Sequence, residues 1–509
     1  MRSRLKRAGP LAALVGLAVL LEPTAAFATK DDLVKGLSQT AQINTLWVTI
    51  AAIFVLFMQA GFLCLEIGFV RSKNAGTIVA KILTNLSIAA ICYWAVGFAF
   101  AFGSADLLGG AQLIGSNGFF LQFSGNPADA LPAMGASDAI IESKFLFQFS
   151  FCAVSLAIVW GSTLERIKFS AYLIYAVVFA AVLYPIGSHW VFGGGWLQNG
   201  KFLMPGGFGM QDFAGSTAVH LIGATGALAA LLLLGPRKGK YGADGKPRVI
   251  PGHSMPIVGI GVLILFFGWF GFNPGSGLGA ADGRLAEVAV VTLLGSAGGV
   301  IGAFVASQLK LKTIDIGMIG NGMIAGLVAI TAPSGYVEAW AGPIIGFVAG
   351  IIVVFGVIAI DKRIDDPIGA TSAHGLAGIW GTISCGFFTA PRLAQYNGFG
   401  DPDGGLFYSG SFNQLASQVV GVAVVFAFIF ALSYGTFFLI KTTIGLRVSD
   451  EEEDAGLDII EHGMYGYPEQ FIPLPETGAA STGPSAPHGD GAPVAPQGRG
   501  NAVPGEVTA

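Results

Sequence analysis

Two stretches of this chain share one pattern: Asp212-Phe-Ala-Gly-Ser-Thr-Ala-Val-His220 and Asp366-Pro-Ile-Gly-Ala-Thr-Ser-Ala-His374. Both read Asp-x-x-Gly-x-Thr-x-x-His, and both open hydrophobic runs that continue well past the histidine. An ionisable side chain is costly inside a bilayer, so one held there points to function. Two at matching places suggest an internal repeat with a site at its interface.

The rest of the chain supports a membrane setting. Of its 509 residues 53% are hydrophobic and 11% charged, whereas soluble domains carry about 25% charged residues. The expected fold is an all-α polytopic membrane protein. The net charge of -4 provides no basic field for nucleic acid, and no such partner is expected. Cys64, Cys92, Cys152 and Cys385 all fall in apolar runs, which argues against a disulfide framework or a thiolate metal site.

Residues 1–28 read as a signal peptide, with Arg2, Arg4, Lys6 and Arg7 ahead of a short apolar stretch and small residues at Ala26-Phe-Ala28. Eleven apolar segments follow, at 45–70, 76–103, 145–164, 169–192, 214–235, 255–273, 286–308, 315–331, 338–360, 369–390 and 414–441. Each is long enough to cross roughly 30 Å of hydrocarbon. The odd-numbered connections carry Arg71 and Lys73, Arg166 and Lys168, the cluster from Arg237 to Arg248, Lys310 and Lys312, and Lys362 and Arg363. The even ones carry few basic residues, so the odd ones face the cytoplasm. This gives an outside N-terminus, an inside C-terminus and a multi-pass protein of the cell membrane. The expected division is a signal peptide (1–28), a transmembrane domain (29–446), a cytoplasmic tail (447–472) and a Pro-, Gly- and Ala-rich segment (473–509) that cannot build a core.

In this orientation Asp212 lies at the outer end of the fifth span and Asp366 at the inner end of the tenth. Eight residues of helix rise about 12 Å. His220 descends and His374 ascends to a common level near the midplane. Spans one to five and six to ten therefore read as an inverted repeat with an eleventh helix added. Asp212 and Asp366 are expected to be structural acids that cap helix N-termini. His189, beside Trp190, reads as interfacial. A zinc site would require three or four ligands. No further His, Cys or carboxylate accompanies the pair at that depth, so no metal or cofactor is expected. With no nucleophile beside the pair, an enzyme is not expected either. A neutral imidazole donates through one nitrogen and accepts through the other, which suits a path for a small polar molecule or a proton.

Asp212 to His220, running on to Gly235-Pro-Arg237, resembles the signature of the Amt/Mep/Rh ammonium transporters, and Asp365-Asp-Pro to His374-Gly375 resembles the second histidine motif of that family. Glu165-Arg-Ile-Lys-Phe169, Gly268-Trp-Phe-Gly-Phe-Asn273, and Gly445-Leu-Arg-Val with the acidic stretch and Gly456-Leu-Asp are similar to further Amt segments. The resemblance spans roughly residues 45–463 and favours the Amt branch. It implies a homotrimer with one pore per subunit, moving ammonium or ammonia, with methylammonium as an analogue. It implies an outer recruitment site of Phe151, Phe192 and Ser276, a hydrophobic gate of Phe147, Phe151 and Phe272, and Trp269 and Thr331 along the pore. A tryptophan is common in the family where this chain has Phe192, which predicts weaker cation attraction. The tail resembles one that docks a PII-type signal protein. A neutral-gas channel and an ammonium sensor without net transport remain as alternatives.

Overall fold

The computed structural model describes residues 37–104, 112–123, 127–201 and 204–471. The signal-peptide segment and the low-complexity segment 473–509 lie outside the described residues. Among the described residues nine helices are long and apolar enough to cross a membrane. In chain order they are α1 (Gln39–Phe69), α2 (Ser72–Phe102), α3 (Ile141–Ser162), α4 (Phe169–Phe192), α5 (Ser216–Leu234), α6 (Met255–Gly275), α7 (Arg284–Leu311), α9 (Ala341–Ile360) and α11 (Asn413–Thr443). Between them lie a shorter apolar helix, α8 (Ile316–Thr331), and α10, which joins Thr371–Leu376 to Ala377–Phe388. Each expected apolar segment coincides with one of these helices. There is no strand among the described residues, only isolated bridges at Ile167–Arg447 and Tyr241–Pro247.

Burial identifies the centre. In α3 and α5, 89% and 83% of the most apolar window is buried, against 33% to 50% in the other long helices. Exposed Leu46, Phe57, Leu263, Ile301, Phe438 and Leu439 turn outward from peripheral helices, as expected of a surface solvated by hydrocarbon. Glycine permits the tightest helix contacts. A Cβ on Gly346 of α9 would lie 1.9 Å from the Gly295 carbonyl of α7, and one on Gly302 of α7 would lie 2.1 Å from the Phe347 carbonyl of α9. Small residues let backbones pack directly where lipid gives no hydrophobic drive for association.

One end of the bundle is held by ions. Arg237 donates to Asp365 through Nε and Nη2, both at 2.9 Å, and through its backbone N–H at 2.8 Å. Glu165 pairs with Arg71 at 2.7 Å and lies 3.5 Å from Arg237. Burial pushes the Asp365 carboxyl up, but the hydrogen bonds of Arg237 and the charges of Arg166 and Arg237 outweigh it and hold it at about 2. Burial also raises the Glu165 carboxyl, and Arg237 and Arg71 bring it below its ordinary value.

The tail folds against this end. Ser449 and Glu452 form a capping box that starts α12 (Asp450–Ala455), followed by α13 (Leu457–His462). Asp458 accepts from the backbone N–H groups of Gly76 and Thr77 at 2.8 and 2.7 Å, capping the first turns of α2. Lys73 donates to the Glu453 and Asp454 carbonyls, and Arg447 pairs with Glu453 at 2.5 Å. The short helix Pro468–Phe471 belongs to a separate compact unit.

Candidate functional site: a file of rings between a vestibule and a histidine pair

The shared pattern builds two similar helix starts. Gly215 has φ 121 and Gly369 has φ 72, backbone that side chains other than glycine rarely adopt. The turn at each glycine brings the preceding aspartate over the helix N-terminus. Asp212 accepts four backbone N–H bonds, from Gly215, Ser216, Thr217 and Ala218, at 2.7 to 2.9 Å. Asp366 accepts from the backbone N–H and hydroxyl of Thr371 at 2.7 and 2.6 Å. Both acids thus stand as caps. In each case the following turn is π-helical, Ser216–Leu221 carrying His220 and Thr371–Leu376 carrying His374. Such widened turns recur at functional sites.

The two histidines meet at the bundle centre. His220 is fully buried and His374 is 5% exposed. Their Nδ1 atoms lie 3.2 Å apart, with ring centroids at 5.2 Å and planes 18° from parallel. One Nδ1 must carry the proton and the other accept it. By hydrogen-bond complementarity one Nε2 is then an acceptor and the other a donor. The Nε2 of His220 has no protein partner.

A file of rings runs from this pair. Phe272 lies 5.4 Å from His220, Phe151 stacks on Phe272 at 4.1 Å with planes 10° apart, and Phe147 lies 4.6 Å from Phe151. Trp269 stacks beside His220 at 5.3 Å and donates from Nε1 to the Thr331 hydroxyl at 2.9 Å. That hydroxyl in turn donates to the Leu327 carbonyl at 2.7 Å, so the Trp269 orientation is fixed by α8.

Beyond Phe151 a vestibule of about 730 Å³ opens, lined by Phe151, Phe192, Ser276, Gln148, Asp212 and Asn199 among others. The structure thus brings Phe151, Phe192 and Ser276 onto one cavity. Ser276 donates its proton to the Phe272 carbonyl at 2.8 Å, leaving oxygen lone pairs to accept. Gln148 escaped sequence reasoning. Its Oε1 is buried without a partner on the vestibule wall, and its only signal was its place between Phe147 and Phe151. Trp190 and Trp196 do not line the cavity. They pack on each other at 5.9 Å, and Trp190 packs on Phe428 at 4.4 Å. His189 is 4% exposed, with its Nδ1 bonded to the Ala101 carbonyl at 2.8 Å. The histidines and buried acids form no group of three or more suited to a metal among the described residues.

The geometry defines a helical membrane protein with a buried histidine pair at its centre. The family model for the Ammonium Transporter Family matches residues 46–467, and the chain belongs to that family. It is similar to ammonium transporter Amt2 of Archaeoglobus fulgidus, 43% identical over 84% of this chain and 88% of the relative. It is also similar to ammonium transporter 3 of Dictyostelium discoideum, 35% identical over 84% and 94%. Among solved structures it resembles a protein called Sensor Amt Protein, with TM-score 0.74 and 33% identity over 83% of this chain and 99% of that one. It also resembles Mep2 of Candida albicans, with TM-score 0.72 and 27% identity over 84% and 91%.

Proposed function

We propose that this chain carries ammonium across a cell membrane, recruiting it at the vestibule and passing it inward as ammonia along the ring file. The observation that carries this reading is the unbroken sequence Phe151, Phe272, His220, His374, which starts at the vestibule wall, with Phe147 packed against Phe151, and ends at the imidazole pair. The Ser276 oxygen and Gln148 Oε1 accept hydrogen bonds from the cation, and the faces of Phe151 and Phe192 attract it. The stacked phenylalanines exclude hydrated ions, as hydrophobic constrictions do. Potassium has no proton to lose and meets the full cost of a bare charge there. Ammonium can deprotonate, and the resulting ammonia meets one donor and one acceptor nitrogen at the histidines.

The topology that fits this reading is eleven spans, α1 to α11, as an inverted five-helix repeat plus one, N-terminus out and C-terminus in. The matched glycines, caps and π-turns of α5 and α10 support it. A homotrimer is the proposed assembly. The tail, bonded to the first turns of α2 and to the loop that carries Lys238, is the proposed docking element for a PII-type signal protein.

Uptake into proteoliposomes tests the function. Saturable ammonium uptake, competed by methylammonium and not by potassium, is expected. Protein that binds ammonium without uptake would overturn it and favour a sensor, the role for which one structural relative is named. Uptake that does not saturate would favour a neutral-gas channel.

A further inference from the structure

The vestibule has to admit a monovalent cation, yet much of its lining suits a divalent one. Its charged residues are Asp138, Asp212, Asp282 and Arg284, so Arg284 is the one cationic side chain on the wall among the described residues. Asp212 is already bonded to four backbone N–H groups. Asp138 and Asp282 are exposed. Asn199, Gln198 and Ser137 add neutral oxygens to the same lining. One or two carboxylates with neutral oxygens and room for water are the setting in which magnesium binds. A charge of two also gains twice the Coulomb energy of a charge of one from the same carboxylates. With those groups alone, magnesium would displace ammonium from the cavity.

Arg284 is the first residue of α7. A helix N-terminus carries partial positive charge and disfavours a cation, so helix stability does not account for an arginine there. The guanidinium is nonetheless held firmly. Its Nη2 donates to the Gly335 carbonyl at 2.9 Å, Nη1 pairs with Glu287, and Cζ lies 5.1 Å from the Tyr396 ring centroid. Tyr396 donates its hydroxyl to Asp282, which also accepts the Arg284 backbone N–H at 3.0 Å. Glu287 is not part of the cavity lining, and it is shared with Arg392 of the α10–α11 connection at 3.4 Å. Arg284 therefore stands on the vestibule wall while its countercharge does not.

We propose that Arg284 is the charge filter of the vestibule, a fixed cation that keeps divalent metal ions off Asp138 and Asp282 while ammonium still enters. The inference rests on the transport reading above. Repulsion grows in proportion to the charge of the approaching ion. If Arg284 weakens ammonium binding by some factor, it weakens binding of a dication at the same place by that factor squared. Specificity is then obtained by repelling the competitor, with a smaller loss of affinity for the cargo.

The test measures ammonium uptake into proteoliposomes, with and without magnesium on the vestibule side, for wild type, Arg284→Gln and Arg284→Lys. In wild type, magnesium at the half-saturating ammonium concentration should leave uptake unchanged. Competition there would overturn the proposal, and this arm needs no variant to fold. Arg284→Gln should lower the half-saturating ammonium concentration about two- to fivefold, the reach of one partly exposed charge. It should lower the inhibitory magnesium concentration by the square of that factor, roughly four- to twenty-fivefold. Arg284→Lys restores the charge and should restore most of the exclusion. Equal factors for the two ions in Arg284→Gln, or a lysine variant as open to magnesium as the glutamine one, would assign the effect to shape rather than charge and overturn the filter. Manganese binding to the full chain in detergent, followed by electron paramagnetic resonance, needs no uptake. Arg284→Gln should bind manganese roughly four- to twenty-fivefold more tightly than wild type, and unchanged binding would sink the filter. Wild-type protein that moves no nitrogen would sink the transport reading alone, leaving the manganese titration to decide the role of Arg284.

Discussion

His220 and His374 share one proton between Nδ1 atoms 3.2 Å apart, although they are 154 residues apart in sequence and sit on separate helices. Each is delivered by the same device: an aspartate cap, a glycine at positive φ and a π-helical turn. With both rings neutral, the shared proton makes the pair directional, leaving one acceptor and one donor Nε2.

In the proposed function the Phe151–Phe272 stack is the barrier to ions. Phe272→Ala removes a fully buried ring and is expected to cost about 3–5 kcal/mol of stability. It should also raise potassium leak in proteoliposomes. Potassium flux is the check, and leak no higher than wild type in folded protein would place the barrier elsewhere.

Phe192 sits on the vestibule where Trp190 and Trp196 do not reach. Phe192→Trp should gain about 0.5–1 kcal/mol of cation attraction, lowering the half-saturating ammonium concentration roughly two- to fivefold. Gln148→Leu should raise it. Saturation curves for uptake decide both, and a Gln148→Leu curve identical to wild type would remove that side chain from the recruitment site.

Acid should loosen the tail end. Asp365 titrates at about 2 in the fold against an ordinary 3.8, so its contribution is present above the ordinary value and is lost as pH falls toward 2. The shift corresponds to about 2 kcal/mol. Asp365→Asn leaves Arg237 and Arg166 without that charge, and about 3–5 kcal/mol of destabilisation is expected. Thermal unfolding in detergent from pH 7 to pH 3 is the measurement. Wild type should lose stability across the low end of that range, and the variant should be less stable at pH 7 and less sensitive to acid.

Gly346 carries the α7–α9 contact, with its missing Cβ 1.9 Å from a backbone oxygen. Gly346→Leu should separate the helices and lower the unfolding temperature. Gly435, where a Cβ would meet nothing within 4 Å, should accept Ala without loss. Equal stability of Gly346→Leu and Gly435→Ala would contradict the packing argument.

The sequence made the helices legible because hydrophobic runs in a bilayer have almost no alternative structure. It also made the histidine pair legible, because the Asp-x-x-Gly-x-Thr-x-x-His pattern is repeated. Its glycine implied a special backbone, but the π-turns left no mark, since π and α turns use the same apolar residues. Gln148 looked like any polar residue between phenylalanines, and only the cavity gives it a place. Trp190 beside His189 gave no sign of what the imidazole touches. Its bond to the Ala101 carbonyl is a contact across 88 residues, which proximity in sequence cannot reveal.

The measurement that bears most directly on the histidine path is the current after an ammonium jump, with potassium as control, for wild type and for His220→Ala/His374→Ala. The account predicts a saturable ammonium current with no potassium current in wild type. In the double variant it predicts a lost or altered ammonium current, or potassium current where there was none. Equal and equally selective currents in the two proteins would contradict it.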